Sequence, residues 1–232
     1  MILSANQPYF SPFPGLFLKI LLSDIFIILD SVQFPRGTTW LTRNRLKYDQ
    51  GTLWMTIPVW KKGLGLQKIN EVMICKEGRW PKKHLASFKN AYENAPYLRD
   101  HLIFIEKIFS SEFNKLIEMN LAILRYLMEH LRINTRIVLL SELGIDAKGS
   151  RLLIEICRKL KADSFLSQGP AKRYIDADLF RDAGIRLIFF NLPNPIYPQL
   201  WGDFIPNLST FDLILNCGPK AHDILISKYK EC

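Results

Sequence analysis

Two short apolar runs open the chain. Met1–Ala5 and Ile25–Asp30 carry few polar interruptions, the pattern of strands covered on both faces. Between them lies a loop from Asn6 to Gly15, then a helical run to Leu22. Pro8, Pro12 and Pro14 stiffen the loop, and Pro14 suits a first helical turn, where its missing N–H leaves nothing unpaired. Strand, loop, helix and strand in this order place a ligand crevice beyond the carboxyl end of the first strand. The helix N-terminus there is expected to offer free N–H groups.

The period then changes. Trp40, Thr42, Asn44 and Leu46 share one face of an alternating segment, and Arg43, Arg45 and Lys47 share the other. This segment reads either as a substrate platform, with Arg43, Arg45 and Lys47 pairing phosphates and Trp40 or Trp54 stacking on a sugar or base, or as an amphipathic hairpin with its aromatics inward; Arg45 and Lys47 are expected in water. Asp49-Gln50-Gly51 reads as a turn, Leu53–Val59 as the returning strand, and Ile69–Ile74 as a further strand. Arg79–Leu131 reads as helical, with a break at Asn94-Ala95-Pro96. Phe113, Leu116, Ile117, Leu121, Leu124, Leu127, Met128 and Leu131 trace a stripe of period 3.6 that Asn120 interrupts.

Strands and helices alternate again further on. Arg136–Leu140, Ser164–Ser167 and Ile185–Phe190 read as strands; Ser150 is expected to cap one helix and Asp176 to start another. A stretch rich in proline and aromatics runs from Pro193 to Pro206. Ser209 and Asp212 have capping-box spacing before a helix that Gly218-Pro219 ends, and Lys220–Lys230 reads as a terminal amphipathic helix. The predicted class is α/β: a Rossmann-like, mainly parallel sheet with an antiparallel β excursion and a helical insertion. One domain over 1–232 is expected, with 40–131 as the hairpin and helical insertion.

Composition narrows the function. Of 232 residues, 48% are hydrophobic and 23% charged, which excludes a disordered chain. The net charge of +9 favours anionic partners: phosphates, sugar nucleotides, nucleic acid or an anionic membrane surface. No basic segment precedes the first apolar run, and Lys19 and Asp24 interrupt the longest one, so neither a signal peptide nor a transmembrane segment is expected. Cys75, Cys157, Cys217 and Cys232 form no CxxC, which suits reduced thiols in a cytoplasmic protein. His84, His101, His130 and His222 form no HxH or HxxxH pair, so a metal site has no support. No P-loop, GxGxxG or nucleophile–base pair is present, and the sequence leaves the cofactor unknown.

The candidate residues gather at the strand ends. Gln7 opens the first loop with an amide that both donates and accepts. A second loop, Ser167 to Tyr174, also leaves a strand end; Gly169 would admit close backbone approach, and Lys172 and Arg173 offer charge. Asn44 and Asn120 are each either ligand contacts or buried amides that need partners. His84 is a candidate acid or base, or a half-buried aromatic-like residue. Asp24 and Asp30 suit either catalysis or turn chemistry, and Ser209 and Asp212 either a site or a helix cap.

Gln7-Pro8-Tyr9-Phe10-x-Pro12, Gly15-x-Phe17, Ser23-Asp24 and Asp30-x-x-Gln33-Phe34 resemble the opening of the WbqC-like family. Thr39-Trp40, Arg43-Asn44, Ile57-Pro58-Val59, Trp80, His84, Ser167-x-Gly169, Tyr174 and Ser209-x-x-Asp212 continue the resemblance in order. Phe13-Pro14 departs from it. The resemblance implies a setting in surface-polysaccharide (O-antigen) biosynthesis and adds Tyr9, Gln33, Trp40, Arg43, Ser167 and Tyr174 to the ligand-binding candidates. The turn Pro12-Phe13-Pro14-Gly15 is also similar to that of HxGH-type nucleotidyltransferases, but both defining histidines are absent, so only architecture carries over.

Together these point to a cytoplasmic enzyme for group transfer, acyl or aminoacyl, on a phosphate-bearing sugar such as a sugar nucleotide. His84, Asp212 and Asp30 are the catalytic candidates. The alternatives are a module for single-stranded nucleic acid, with Trp40 and Trp54 stacking on bases, and a non-catalytic polysaccharide-assembly protein. Dispersed positive charge and the absence of RNP, KH or zinc motifs weigh against nucleic acid.

Overall fold

The computed structural model describes residues 1–110, 112–191 and 194–227. In chain order these form β1 (Ile2–Asn6), α1 (Pro14–Leu21), β2 (Ile25–Ile28), β3 (Arg43–Tyr48), β4 (Gly51–Thr56), α2 (Trp80–Ala91), α3 (Leu98–Ile108) and α4 (Leu116–His130). There follow β5 (Arg136–Leu139), α5 (Gly149–Lys159), β6 (Ser164–Gln168), α6 (Ala177–Asp182), β7 (Arg186–Phe190), α7 (Thr210–Cys217) and α8 (Ala221–Ser227). The expectations on Pro193, on Cys232 and on the end of the terminal helix toward Lys230 lie outside the described residues.

Five strands form one parallel sheet in the order β5-β2-β1-β6-β7. Alternation along each strand sorts side chains onto its two faces. Ile25 and Ile27 join Leu3, Val138 and Phe165 beneath α5 and α6. Phe26 and Ile28 join Leu16, Phe17 and Ile20 of α1 and Phe211 of α7 on the other face. Burial on both faces is why these strands read as continuous apolar runs.

The connection from β2 to β5 holds the hairpin and three helices. β3 and β4 make a separate antiparallel pair, with Asn44 opposite Met55 and Leu46 opposite Leu53 on the buried face. A two-residue turn, Asp49-Gln50, joins them, and Gly51 at φ +112 relaxes its exit. Trp40 precedes the strand and is exposed, so the aromatic end of the expected inward face points outward.

Ile69–Ile74 is not a strand. Ile69–Glu71 is one 3₁₀ turn, because Ile69 N–H donates to Val32 O and Asn70 N–H to Asp30 O. The backbone therefore docks on the segment after β2, while Ile69, Val72 and Ile74 enter the core. The helical block breaks a second time after Ile108, and Glu118 Oε2 restarts it by accepting from Asn114 N and Lys115 N at 3.1 and 3.0 Å. Ser150 lies inside α5 instead of capping it; its Oγ accepts from Asp176 N at 2.8 Å.

Lys47 corrects the expectation of a solvated basic face. It is buried beneath residues 202–203, with Nζ donating to Asp203 O at 2.5 Å and to Gly202 O at 3.4 Å. Among the described residues, no helix is long and apolar enough to cross a membrane.

Candidate functional site

From β1 the chain runs outward to β2 and β5, then returns to the other side of β1 as β6. The crevice outside this reversal is where open α/β sheets place ligands. Phe13 from the loop after β1 and Gln168 and Pro170 from the turn after β6 line one open cleft of about 490 Å³. Trp40 and Arg45 from the hairpin side, with Asn191, Asn194 and Asn207, complete most of its wall. Gly169 allows the exits of β6 and β7 to approach: a Cβ there would lie 2.6 Å from Asn191 Oδ1.

The rigid loop is clamped from several distant elements. Asn120 Nδ2 on α4 donates to Pro8 O at 2.8 Å and to Leu41 O at 2.9 Å. Asn44 Nδ2 on β3 donates to Ser11 O at 2.6 Å. Thr210 donates to Pro12 O through both N and Oγ1, at 2.8 and 2.7 Å. The hydroxyls of Ser11 and Ser209 lie 2.5 Å apart. Pro14 and Gly15 are buried at this junction, so the start of α1 is packed against the N-terminus of α7.

Arg45 carries the cleft's positive charge. Its Nη2 donates to Pro206 O at 3.0 Å, while its Nε is buried with no hydrogen-bond partner. The guanidinium of Arg43 lies 3.7 Å over the Trp54 ring, which sits 5.8 Å from the exposed Trp40 ring. A second cleft of about 450 Å³ opens on the β2–β5 side, with Gln33, Leu66, Lys68 and Lys148 in its wall. Among the described residues, no group of three or more His, Cys, Asp or Glu is placed to hold a metal ion.

A family model matches residues 7–224, nearly the whole chain, including every segment that builds both clefts. The chain belongs to the WbqC-like protein family. A Mycobacterium tuberculosis protein described as uncharacterized is 32% identical over 222 residues, covering 94% of this chain and 95% of the relative. No solved structure matches the chain.

The WbqC-like residues singled out in the sequence separate into several places. Trp40 lines the switch-point cleft, and Gly169 shapes it through Asn191. Gln7 is half-buried where β1 ends, and Tyr9 packs against the core. Ser167 is buried in β6, whereas Tyr174 is 77% exposed with Arg173 beside its ring. Gln33 lies in the second cleft. Asp24 is at the opposite end of the sheet, where its carboxylate accepts from Ile2 N at 2.7 Å. It therefore shares no site with the strand carboxyl ends.

The three catalytic candidates also lie outside the cleft wall. Asp30 is buried and accepts from Ser141 N at 2.9 Å, Ser141 Oγ at 2.6 Å and Asn70 Nδ2 at 3.3 Å, tying β2 to the segment after β5. His84 Nε2 lies 2.8 Å from Thr56 O, and its ring packs edge-on with Trp80 and Phe109. Asp212 is sealed in the core, where Tyr92 Oη donates to Oδ1 at 2.8 Å. Burial pushes its carboxyl above the usual range, while the hydroxyls of Tyr92 and Tyr197 and the charge of Lys47 act the other way. Ser209 Oγ caps α7 through Phe211 N, but the Asp212 carboxylate turns away to Tyr92, so only half of the expected capping box forms.

Phe13, Gln168 and Pro170 belong to the two strand-end loops that the sequence singled out, and these loops share one cleft, whereas Asn191, Asn194 and Asn207 were missed and Arg45 lines the cleft rather than facing open water. The one sequence signal was the recurrence of asparagine among the prolines between Asn191 and Asn207.

Proposed function

We propose that the switch-point cleft binds a phosphate-bearing sugar such as a sugar nucleotide, for group transfer in surface-polysaccharide biosynthesis. The composition of the cleft wall carries this reading. Phe13, Trp40 and Phe190 provide flat apolar faces, while Gln168, Asn191, Asn194 and Asn207 provide amides that donate and accept to hydroxyls. Arg45 lines the same wall and provides a guanidinium suited to phosphate. Membership of the WbqC-like family supports the polysaccharide setting.

The described lining contains no Cys, Ser, His, Asp or Glu. This favours transfer by alignment of two substrates over a covalent enzyme intermediate. An amino sugar would attack the carbonyl of an activated acyl or aminoacyl donor. The amide forms as the donor's leaving group departs with the bonding pair and the amine's proton passes to solvent.

Thermal shift and calorimetry with sugar nucleotides, free nucleotides and a single-stranded oligonucleotide test the reading. Specific sugar-nucleotide binding that Arg45→Ala weakens about tenfold or more is expected. Absence of sugar-nucleotide binding overturns it. Tight oligonucleotide binding instead would favour the stacking role that the Arg43–Trp54–Trp40 cluster also suits.

A further inference from the structure

Residues 60–66 read Trp-Lys-Lys-Gly-Leu-Gly-Leu, and every one is exposed. Trp60, Leu64 and Leu66 are 43%, 51% and 59% exposed, although each could have been a core residue. Gly63 and Gly65, at φ +79 and +62, turn the chain so that these side chains stay outside the fold. The loop is fastened only at its base. Trp60 N donates to Met73 O and Gln67 Nε2 to Trp60 O, both at 3.0 Å, and Lys61 Nζ lies 4.9 Å over the Phe34 ring. Met73, beside the root, is exposed too.

Exposed positive charge flanks the same loop. Lys61 and Lys62 lie within it, Lys68 follows it, and Lys61 Nζ reaches the Gly37 carbonyl at 3.5 Å, which brings Arg36 close; the exposed acid beside them is Glu71, whose carboxylate accepts from Lys68 N at 2.8 Å. Arg36, Lys61, Lys62 and Lys68 are exposed. Apolar side chains held in water next to lysines are the makings of an interfacial contact.

We propose that the 60–66 loop seats the protein on an anionic lipid surface. Trp60, Leu64 and Leu66 enter the boundary between headgroups and acyl chains, and Lys61, Lys62 and Lys68 pair with lipid phosphates. The two leucines favour lipid over a nucleic acid strand, which rewards aromatic faces and gains little from aliphatic ones. Leu66 and Lys68 also line the β2–β5 cleft, so that cleft opens beside the bound surface. The inference stands independently of the reaction in the switch-point cleft.

Co-sedimentation of the full chain with phosphatidylcholine vesicles, with and without phosphatidylglycerol, tests it. Binding to the anionic vesicles is expected, weakening as salt rises, with a blue shift of tryptophan emission. Leu64→Asp with Leu66→Asp should lower that binding about tenfold or more and leave the melting temperature unchanged, because both side chains are exposed. Lys61→Glu with Lys62→Glu should remove the preference for anionic vesicles. Absence of vesicle binding overturns the proposal. So does a Leu64→Asp/Leu66→Asp protein that binds like the parent, or displacement of the vesicles by a single-stranded oligonucleotide.

Discussion

Asn120 donates one amide group to the carbonyls of Pro8 and Leu41, at 2.8 and 2.9 Å. A single side chain in α4 thus joins the loop after β1 to the approach of the hairpin. Its Oδ1 is buried without a partner, so the side chain acts here through its donor.

Asn120→Ala is therefore expected to lower unfolding free energy by about 2 kcal/mol or more, since it strands buried carbonyls and opens a void. Urea unfolding measures this. Unchanged stability together with weakened ligand binding would instead make Asn120 a ligand contact.

Lys19 is buried in α1 with its ammonium donating to Ala5 O at 2.7 Å. Burial lowers its pKa from 10.5 to about 7. The folded state therefore releases this proton at lower pH than the unfolded chain does. The associated destabilisation is full below about pH 7 and is relieved as pH rises toward the unfolded value, by at most about 1.4 kcal/mol per pH unit. Urea melts across this range should show parent stability rising with pH relative to Lys19→Met. Parallel profiles for the two proteins would refute the assignment.

Asp212 shows the opposite proton linkage. Its folded pKa is raised by burial, so protonation favours the folded state, and the benefit is lost as pH climbs through the raised pKa. Asp212→Asn keeps an acceptor for Tyr92 and carries no charge. It should flatten this part of the stability profile, with the largest gain over the parent at neutral pH. Tyr92→Phe removes the partner of a buried oxygen and should cost about 1–3 kcal/mol. Thermal melts across pH separate these outcomes from a catalytic role, in which folding would stay unchanged.

Gly169→Ala would press a methyl group against Asn191 Oδ1 at 2.6 Å. The obstacle is a side-chain end, so the amide should move aside and stability should change by less than about 1 kcal/mol. The expected effect is weaker binding in the cleft, read by calorimetry with the ligand that the screen identifies. Equal affinity in the two proteins would remove Asn191 from the binding wall.

His84→Ala should reduce stability by about 1 kcal/mol, because its ring nitrogen contacts the Thr56 backbone at the end of β4. Turnover per folded molecule should remain at the parent value. A large fall in turnover at unchanged stability would restore His84 to the chemistry.

The parallel sheet was legible because burial on two faces leaves a local signature. Ile25 and Ile27 serve one core while Phe26 and Ile28 serve the other, so no polar position could be spared along β2. Pro14 and Gly218 likewise marked helix ends, the first by its fixed φ and the second by tolerating φ +49. The fate of polar residues was decided by partners far away in the chain. Arg45 and Lys47 are two apart on one strand, yet residues 202–203 cover Lys47 while Arg45 lines a cleft. Asn44 and Asn120 became clamps, whereas Asn191, Asn194 and Asn207 line the cleft. Periodicity reports which face a residue occupies; only the packing of remote segments decides whether that face meets a carbonyl, a ring or open space.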